Sequence, residues 1–130
     1  MKIKIIIIII GISILFGFKQ QKESKYKFVD VQINKSESYL TLPKGIKKNN
    51  VKEFTEGFYQ IFFYSDNSSV IILKGVNTIL ELPTNDNPNA FARKEIIDGI
   101  QMVYGNVISK RKAEFDKAFD LMKKNGIMKK

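Results

Sequence analysis

Residues 58–73 constrain the fold of this chain more than any other stretch. Phe58, Tyr59, Ile61, Phe62, Phe63 and Tyr64 form an aromatic and aliphatic run broken only by Gln60. Ser65-Asp66-Asn67-Ser68-Ser69 follows with a turn-forming side chain at every position, and Val70-Ile71-Ile72-Leu73 is apolar again. Two runs of β-branched and aromatic residues around a longer polar loop specify a β-hairpin. Both runs are apolar on both faces, so they belong in the middle of a sheet that is covered, at least in part, on each side.

The second strong signal is helical. Phe115, Ala118, Phe119 and Met122 recur at i, i+3, i+4 and i+7, one face of a 3.6-residue period. Ser109 is the expected N-cap. Lys112 with Asp116, and Asp120 with Lys124, are expected i,i+4 pairs on the wet face. Lys123 and Lys124 suit the negative end of the helix dipole, and Asn125-Gly126 supplies a stop. Burying large apolar side chains at roughly 1.5–3 kcal/mol each is enough to dock one helix on a sheet.

Around these two elements the pattern reads as short strands. Residues 26–33 and 39–42 are expected strands, separated by Asn34-Lys35-Ser36, and the second is closed by Pro43. Pro43-Lys44-Gly45 is a turn and residues 47–50 a solvated loop. Residues 76–82 alternate and predict a half-buried strand ending at Pro83. Residues 84–89 form an Asn- and Asp-rich loop. Asn87-Pro88 predicts the start of a short helix over 90–98, stopped by Gly99, with irregular chain leading into the next strand as the competing reading. Residues 100–104 are a strand that extends towards Val107. The expected architecture is α+β: an antiparallel meander sheet of about five strands with the C-terminal helix packed on one face. At 130 residues the chain has room for a single core.

The N-terminus has a different character. Lys2 and Lys4 precede an uncharged run over residues 5–18 that includes six consecutive Ile. A basic start and an apolar stretch of roughly 10–15 residues match a signal peptide, and the run is shorter than the roughly 20 residues of a membrane span. The reading is therefore a leader over 1–18, a polar tether over 19–25 and one α+β domain over 26–130. An uncleaved anchor and a buried core segment are the alternatives. Gly17 at the −1 position would put Leu15 at −3, and Lys19, Lys22, Lys25 and Lys27 make the downstream flank basic, so orientation is not set by the positive-inside rule. The implied location is periplasmic or secreted, or else the inner membrane if the leader stays attached.

Composition removes many chemistries. The chain has no Cys and no His, which excludes disulfides, thiolate nucleophiles, Cys-ligated zinc, lipoprotein acylation and His-based triads. No nucleophile elbow, P-loop or dinucleotide fingerprint occurs. Glu81, Asp86, Glu95 and Asp98 are the one regional group of carboxylates for acid–base work, and a carboxylate-only hydrolase is the enzymatic alternative. Residues 84–89 offer clustered side-chain oxygens but carry one charge, at Asp86, and lack calcium-loop spacing. Neither a cofactor nor a metal is expected.

The formal charge is +9, from 22 Lys and Arg against 13 Asp and Glu, and it falls to +7 if residues 1–18 are removed. The basic residues gather in two places, and Lys44, Lys47, Lys48, Lys110, Arg111 and Lys112 are the candidate contacts for an anionic partner. A solvated basic surface explains the same residues without a partner. Nucleic acid is not expected, because the chain has only two Arg, Arg93 and Arg111, and no nucleic-acid-binding motif. Exposed aromatics among residues 58–64, or Tyr39, Tyr59 and Tyr64 surfacing together, would offer a stacking platform; core packing is the simpler role.

Leu42-Pro43-Lys44-Gly45, Tyr64-Ser65-Asp66-Asn67-Ser68 and the late helix together resemble a pattern of small bacterial exported or envelope proteins. In that pattern a leader precedes an LPKG-like turn, a hairpin with a Y-x-D-x-S loop and a C-terminal helix. The resemblance covers the middle of the chain and the order of the last helix, and it lacks the lipobox often found in such leaders. It implies export and no particular activity. The expected function is a non-catalytic binding or accessory protein at the cell envelope. Its partner would be a protein or an anionic surface, and a single-span subunit of an envelope complex is the alternative.

Overall fold

A computed structural model describes residues 26–83 and 87–130. The leader and tether expected over 1–25, and residues 84–86 of the expected loop, lie outside the described residues.

The first hairpin is β1 (Phe28–Gln32) and β2 (Ser38–Pro43), paired antiparallel with Val31 opposite Leu40. It turns at Asn34, whose φ is 49°, and the Ile33 N–H donates to the Ser38 carbonyl at 2.9 Å. Next come β3 (Ile46–Glu53), β4 (Phe58–Tyr64) and β5 (Ser69–Lys74), then β6 (Phe91–Ile97) and β7 (Ile100–Val107). The helix α1 (Ser109–Asn125) follows, and the short β8 (Met128–Lys129) pairs back onto β2. Among the described residues there are two antiparallel sheets, ordered β1-β2-β8 and β3-β4-β5-β7-β6. The α+β class and the C-terminal helix hold. The five-stranded sheet is not a plain meander, because β6 runs along the edge and β7 returns between it and β5.

The hairpin over 58–73 sits centrally, as its two apolar faces require. On one face, Phe62, Val70, Met102 and Tyr104 meet α1 through Phe115 and Phe119, and meet the small sheet through Leu40 and Leu42. All these side chains are fully buried. We call this the inner face. Phe115 and Phe119 stand edge-on to Tyr104 at 5.7 and 5.2 Å between ring centres, the favoured geometry for aromatic pairs. The four helix residues singled out by periodicity are the four that α1 buries.

Three segments differ from expectation. Residues 47–50 are strand rather than loop. Their Lys and Asn side chains carry no apolar alternation because β3 is an exposed edge, held in register by the tight connection in which the Phe54 N–H donates to the Gly57 carbonyl at 2.7 Å.

Residues 90–98 form β6 rather than a helix. Asp98 and Gly99 take φ values of 50° and 79°, the left-handed pair of a two-residue hairpin turn. Ile97 then faces Ile100, and Gly99 turns the chain instead of stopping a helix.

Residues 76–82 are not a strand. They form an irregular strap over the outer face of the large sheet. The Gln101 side chain holds the strap: its Oε1 accepts the Leu80 N–H at 2.6 Å and its Nε2 donates to the Thr78 carbonyl at 2.7 Å. Leu73 and Val103 are buried on this side. Pro83 lies so close to Gly105 that a Cβ there would come within 2.5 Å of the proline Cγ.

Two smaller corrections concern α1. Its N-cap position is Ile108, with Ser109 already helical and no side-chain cap. Asp120 receives Arg93 from β6 at 2.7 Å, so the expected partner Lys124 is displaced by a cation from another element.

Candidate functional site

An exposed basic and apolar surface lies along β3 and the outer face beside it. β3 is a sheet edge and is exposed along nearly its whole length. Lys48, Asn50 and Lys52 stand opposite Phe63, Ile61 and Tyr59 of β4, residues that alternate with the inward Gln60, Phe62 and Tyr64. Side chains directly opposite in a ladder share a face, so Lys48 and Lys52 belong to the outer row. Lys47 is the extra residue of a bulge between the pairs Ile46–Tyr64 and Lys48–Phe63. At the far end of the row Phe54 is 46% exposed, with the Lys52 ammonium 5.8 Å from its ring centre. Phe54, Tyr59, Leu73, Ile79 and neighbours on the strap border an open groove of about 530 Å³. Ile79 and Ile96 are the most exposed large apolar side chains of this face, at 75% and 65%.

The six basic residues expected to meet an anion divide into two groups. Lys44, Lys47, Lys48 and Lys110 are exposed. Arg111 and Lys112 are engaged within the fold. Arg111 donates to Glu114 at 2.9 Å and to Asp66 at 3.2 Å, and its guanidinium lies 5.0 Å from the Tyr64 ring centre and 4.9 Å from that of Phe115. It also donates to the Lys44 carbonyl at 3.4 Å, which brings the two expected clusters together at one corner. Lys112 donates to Asp116 at 2.7 Å and stands 5.3 Å from the Phe91 ring centre. Phe54 and Tyr59 carried no separate signal as an outer-face pair, because they become neighbours of Lys52 only through the β3–β4 register.

The carboxylates do not assemble into an acid–base pair. Glu81 lies on the strap at the outer face, whereas Glu95 lies opposite the inward Met102 and accepts Arg93 at 2.9 Å. Asp98 accepts the Ile127 N–H at 2.8 Å, and Asp86 lies outside the described residues. Arg93 is the hub of the inner-face edge, with Glu95, Asp116 and Asp120 all within 3.2 Å. Burial lowers its pKa, but those three carboxylates outweigh burial and hold the guanidinium firmly protonated. Asp116 also accepts the Tyr104 hydroxyl at 2.6 Å. Burial pushes this carboxyl up, yet Lys112, Tyr104 and Arg93 together hold it below the usual carboxylate range. Asp66 is held low in the same way, with burial outweighed by Ser68 and Arg111. These groups tie α1 to the large sheet.

Among the described residues no group of three or more carboxylates stands in an arrangement that could hold a metal ion. Asn87 makes a turn, accepting the Asn89 N–H on its side chain and the Ala90 N–H on its carbonyl, both at 2.9 Å. Tyr39, Tyr59 and Tyr64 do not surface together: Tyr39 is on the small sheet, Tyr59 on the outer face, and Tyr64 is buried with its hydroxyl donating to the Pro43 carbonyl at 2.7 Å. No described helix is long and apolar enough to cross a membrane. No family model, curated protein or solved structure matches the chain.

Proposed function

We propose that this chain is a non-catalytic binding or accessory protein of the bacterial cell envelope, exported by the leader at 1–18, which recognises an acidic partner. The observation that carries the reading is the contrast between its two sets of charges. The partly buried ions around Arg93 and Arg111 are each neutralised inside the fold. Lys47, Lys48 and Lys52 instead lie along an exposed sheet edge beside an apolar groove. A row of exposed lysines that no salt bridge among the described residues engages, next to largely apolar surface, favours an anionic macromolecule over a small substrate held in a closed cleft.

Affinity capture from envelope fractions, at low and at high salt, tests the partner. A saturable acidic protein released by salt supports the reading, and turnover of a substrate by the purified chain overturns it. Intact mass of the native protein tests export. A start at or just after residue 18 marks a cleaved leader, whereas retention of residues 1–18 marks an anchored subunit.

A further inference from the structure

We propose that the open edge of β3 takes an acidic, extended segment of a partner protein as an added strand, with one apolar side chain of that segment seated against Phe54. This rests on the reading of the chain as a binder of acidic partners and supplies its geometry.

The backbone supplies the docking groups. The Phe54–Gly57 hydrogen bond fixes the alternation of the antiparallel ladder. Counting back from it, Lys52 and Asn50 exchange hydrogen bonds with Tyr59 and Ile61, which leaves the N–H and C=O groups of Asn49, Val51 and Glu53 facing away from the sheet. The bulge at Lys47 interrupts the edge only at its start, so the stretch from Lys48 to Glu53 is regular. A row of outward donors and acceptors is a template for another strand.

The side chains select which strand. Lysines on an edge ordinarily keep other strands away. Here they reject a second copy of the chain, whose formal charge is +9, or +7 without residues 1–18, and admit a segment of opposite sign. Lys48 and Lys52 share one row, so they match carboxylates at i and i+4 of an extended peptide. Past Lys52 the row continues into half-exposed Phe54 and the groove beside Tyr59 and Leu73, which has the room and a largely apolar lining for one large side chain. Glu81 and Thr78 on the strap border it, so the acidic positions of the segment belong at the Lys48–Lys52 end and the apolar one at the groove. An anionic lipid surface would satisfy the lysines but offers no matching row of donors and acceptors to the outward backbone groups, which would stay with water, so the observations favour a peptide.

The test uses the full chain and a labelled synthetic peptide with glutamates at i and i+4, valines between them and a terminal phenylalanine. Saturable binding that weakens with salt is expected, with slowed hydrogen exchange at the amides of Asn49, Val51 and Glu53. The double change Lys48→Glu with Lys52→Glu should weaken binding at least about tenfold. Val51→Pro removes an outward N–H without breaking the ladder to β4; it should weaken binding similarly while exchange in β4 and β5 stays slow. Phe54→Ser should cost several-fold. Binding that ignores Val51→Pro and leaves the edge amides unprotected overturns strand addition while the acidic-partner reading survives. Binding to anionic vesicles but not to the peptide does the same. Failure to bind peptide or vesicles, with no acidic protein captured from envelope fractions, overturns both.

Discussion

The side-chain oxygen of Gln60 accepts the backbone N–H of Asn34 at 2.9 Å, joining the two sheets through a single buried amide. Gln60 is 1% exposed, and its Nε2 donates to Asn49 Oδ1 at 2.9 Å and to the Gln32 carbonyl at 3.4 Å. This explains a polar residue in the middle of the most apolar strand: the β1–β2 turn, β4 and the edge strand β3 all meet there. Gln60→Leu fits the apolar surroundings but strands the Asn34 N–H. The expected cost is about 1–3 kcal/mol, read as a lower urea midpoint with an unchanged slope. Gln60→Glu keeps the acceptor for Asn34 but faces two oxygens, and should cost more. A neutral Gln60→Leu would show that the bridge contributes nothing.

The acid limb of stability should belong to Asp116 and Asp66. Both are held below the usual carboxylate value in the folded state. A depressed folded pKa contributes stability that is whole above the unfolded value and is lost as pH falls through the folded one. Unfolding should therefore set in below about pH 4. With neither His nor Cys in the chain, the curve should be nearly flat across the neutral range. Asp116→Asn lowers stability at neutral pH and makes the acid limb shallower. An equally steep limb in that variant, measured by denaturation at several pH values, would show that other carboxylates carry it.

How much of this was legible follows a physical division. The 58–73 hairpin and α1 were readable because burial imposes a period on side chains, and Phe62, Val70, Phe115 and Phe119 obey it. β3 was not, because an edge strand that buries almost nothing has no hydrophobic period to show. β6 was misread where Asn87-Pro88 suggested a helix start, although Asp98-Gly99 followed by Ile100 was a hairpin signal in plain view. The strap alternates like a strand, yet its backbone groups go to the Gln101 side chain instead of a neighbouring ladder. The basic residues were visible as a composition. That Arg111 is engaged inside the fold while Lys48 stays exposed depends on Asp66 approaching from the β4–β5 turn, beyond the i,i+3 neighbour Glu114 that the sequence already offers.

Alkaline titration should find Tyr64 and Tyr104 late. Burial raises the Tyr64 hydroxyl well above its ordinary range, with the Arg111 charge opposing and Glu114 and Asp66 adding to the rise. Burial also raises Tyr104, with the hydrogen bond to Asp116 next in importance. A raised folded pKa means that the stabilising contribution is whole below about pH 10 and is lost as pH climbs towards the folded value. Tyrosinate absorbance should thus show a late step coincident with unfolding. Tyr64→Phe and Tyr104→Phe should each shrink it. A late step unchanged in both variants would assign it elsewhere.

The strap should loosen without the fold unravelling when Gln101 is changed. Gln101→Leu removes both the acceptor for the Leu80 N–H and the donor to the Thr78 carbonyl, while Leu73 and Val103 keep their places in the sheet. Hydrogen exchange should quicken at Leu80 and its neighbours far more than in β4 or β7, because local opening costs less than global unfolding. Gly105→Ala attacks the same strap from its other end, since the new Cβ meets Pro83; it should produce the same pattern, with a greater loss of stability from the clash. Ile79 lines the groove from the strap and Phe54 from the sheet, so a loosened strap should also abolish the advantage of a terminal phenylalanine in the acidic peptide. Gln101→Leu with unchanged exchange at Leu80 would mean that packing over Leu73 and Val103, rather than the glutamine, holds the strap down.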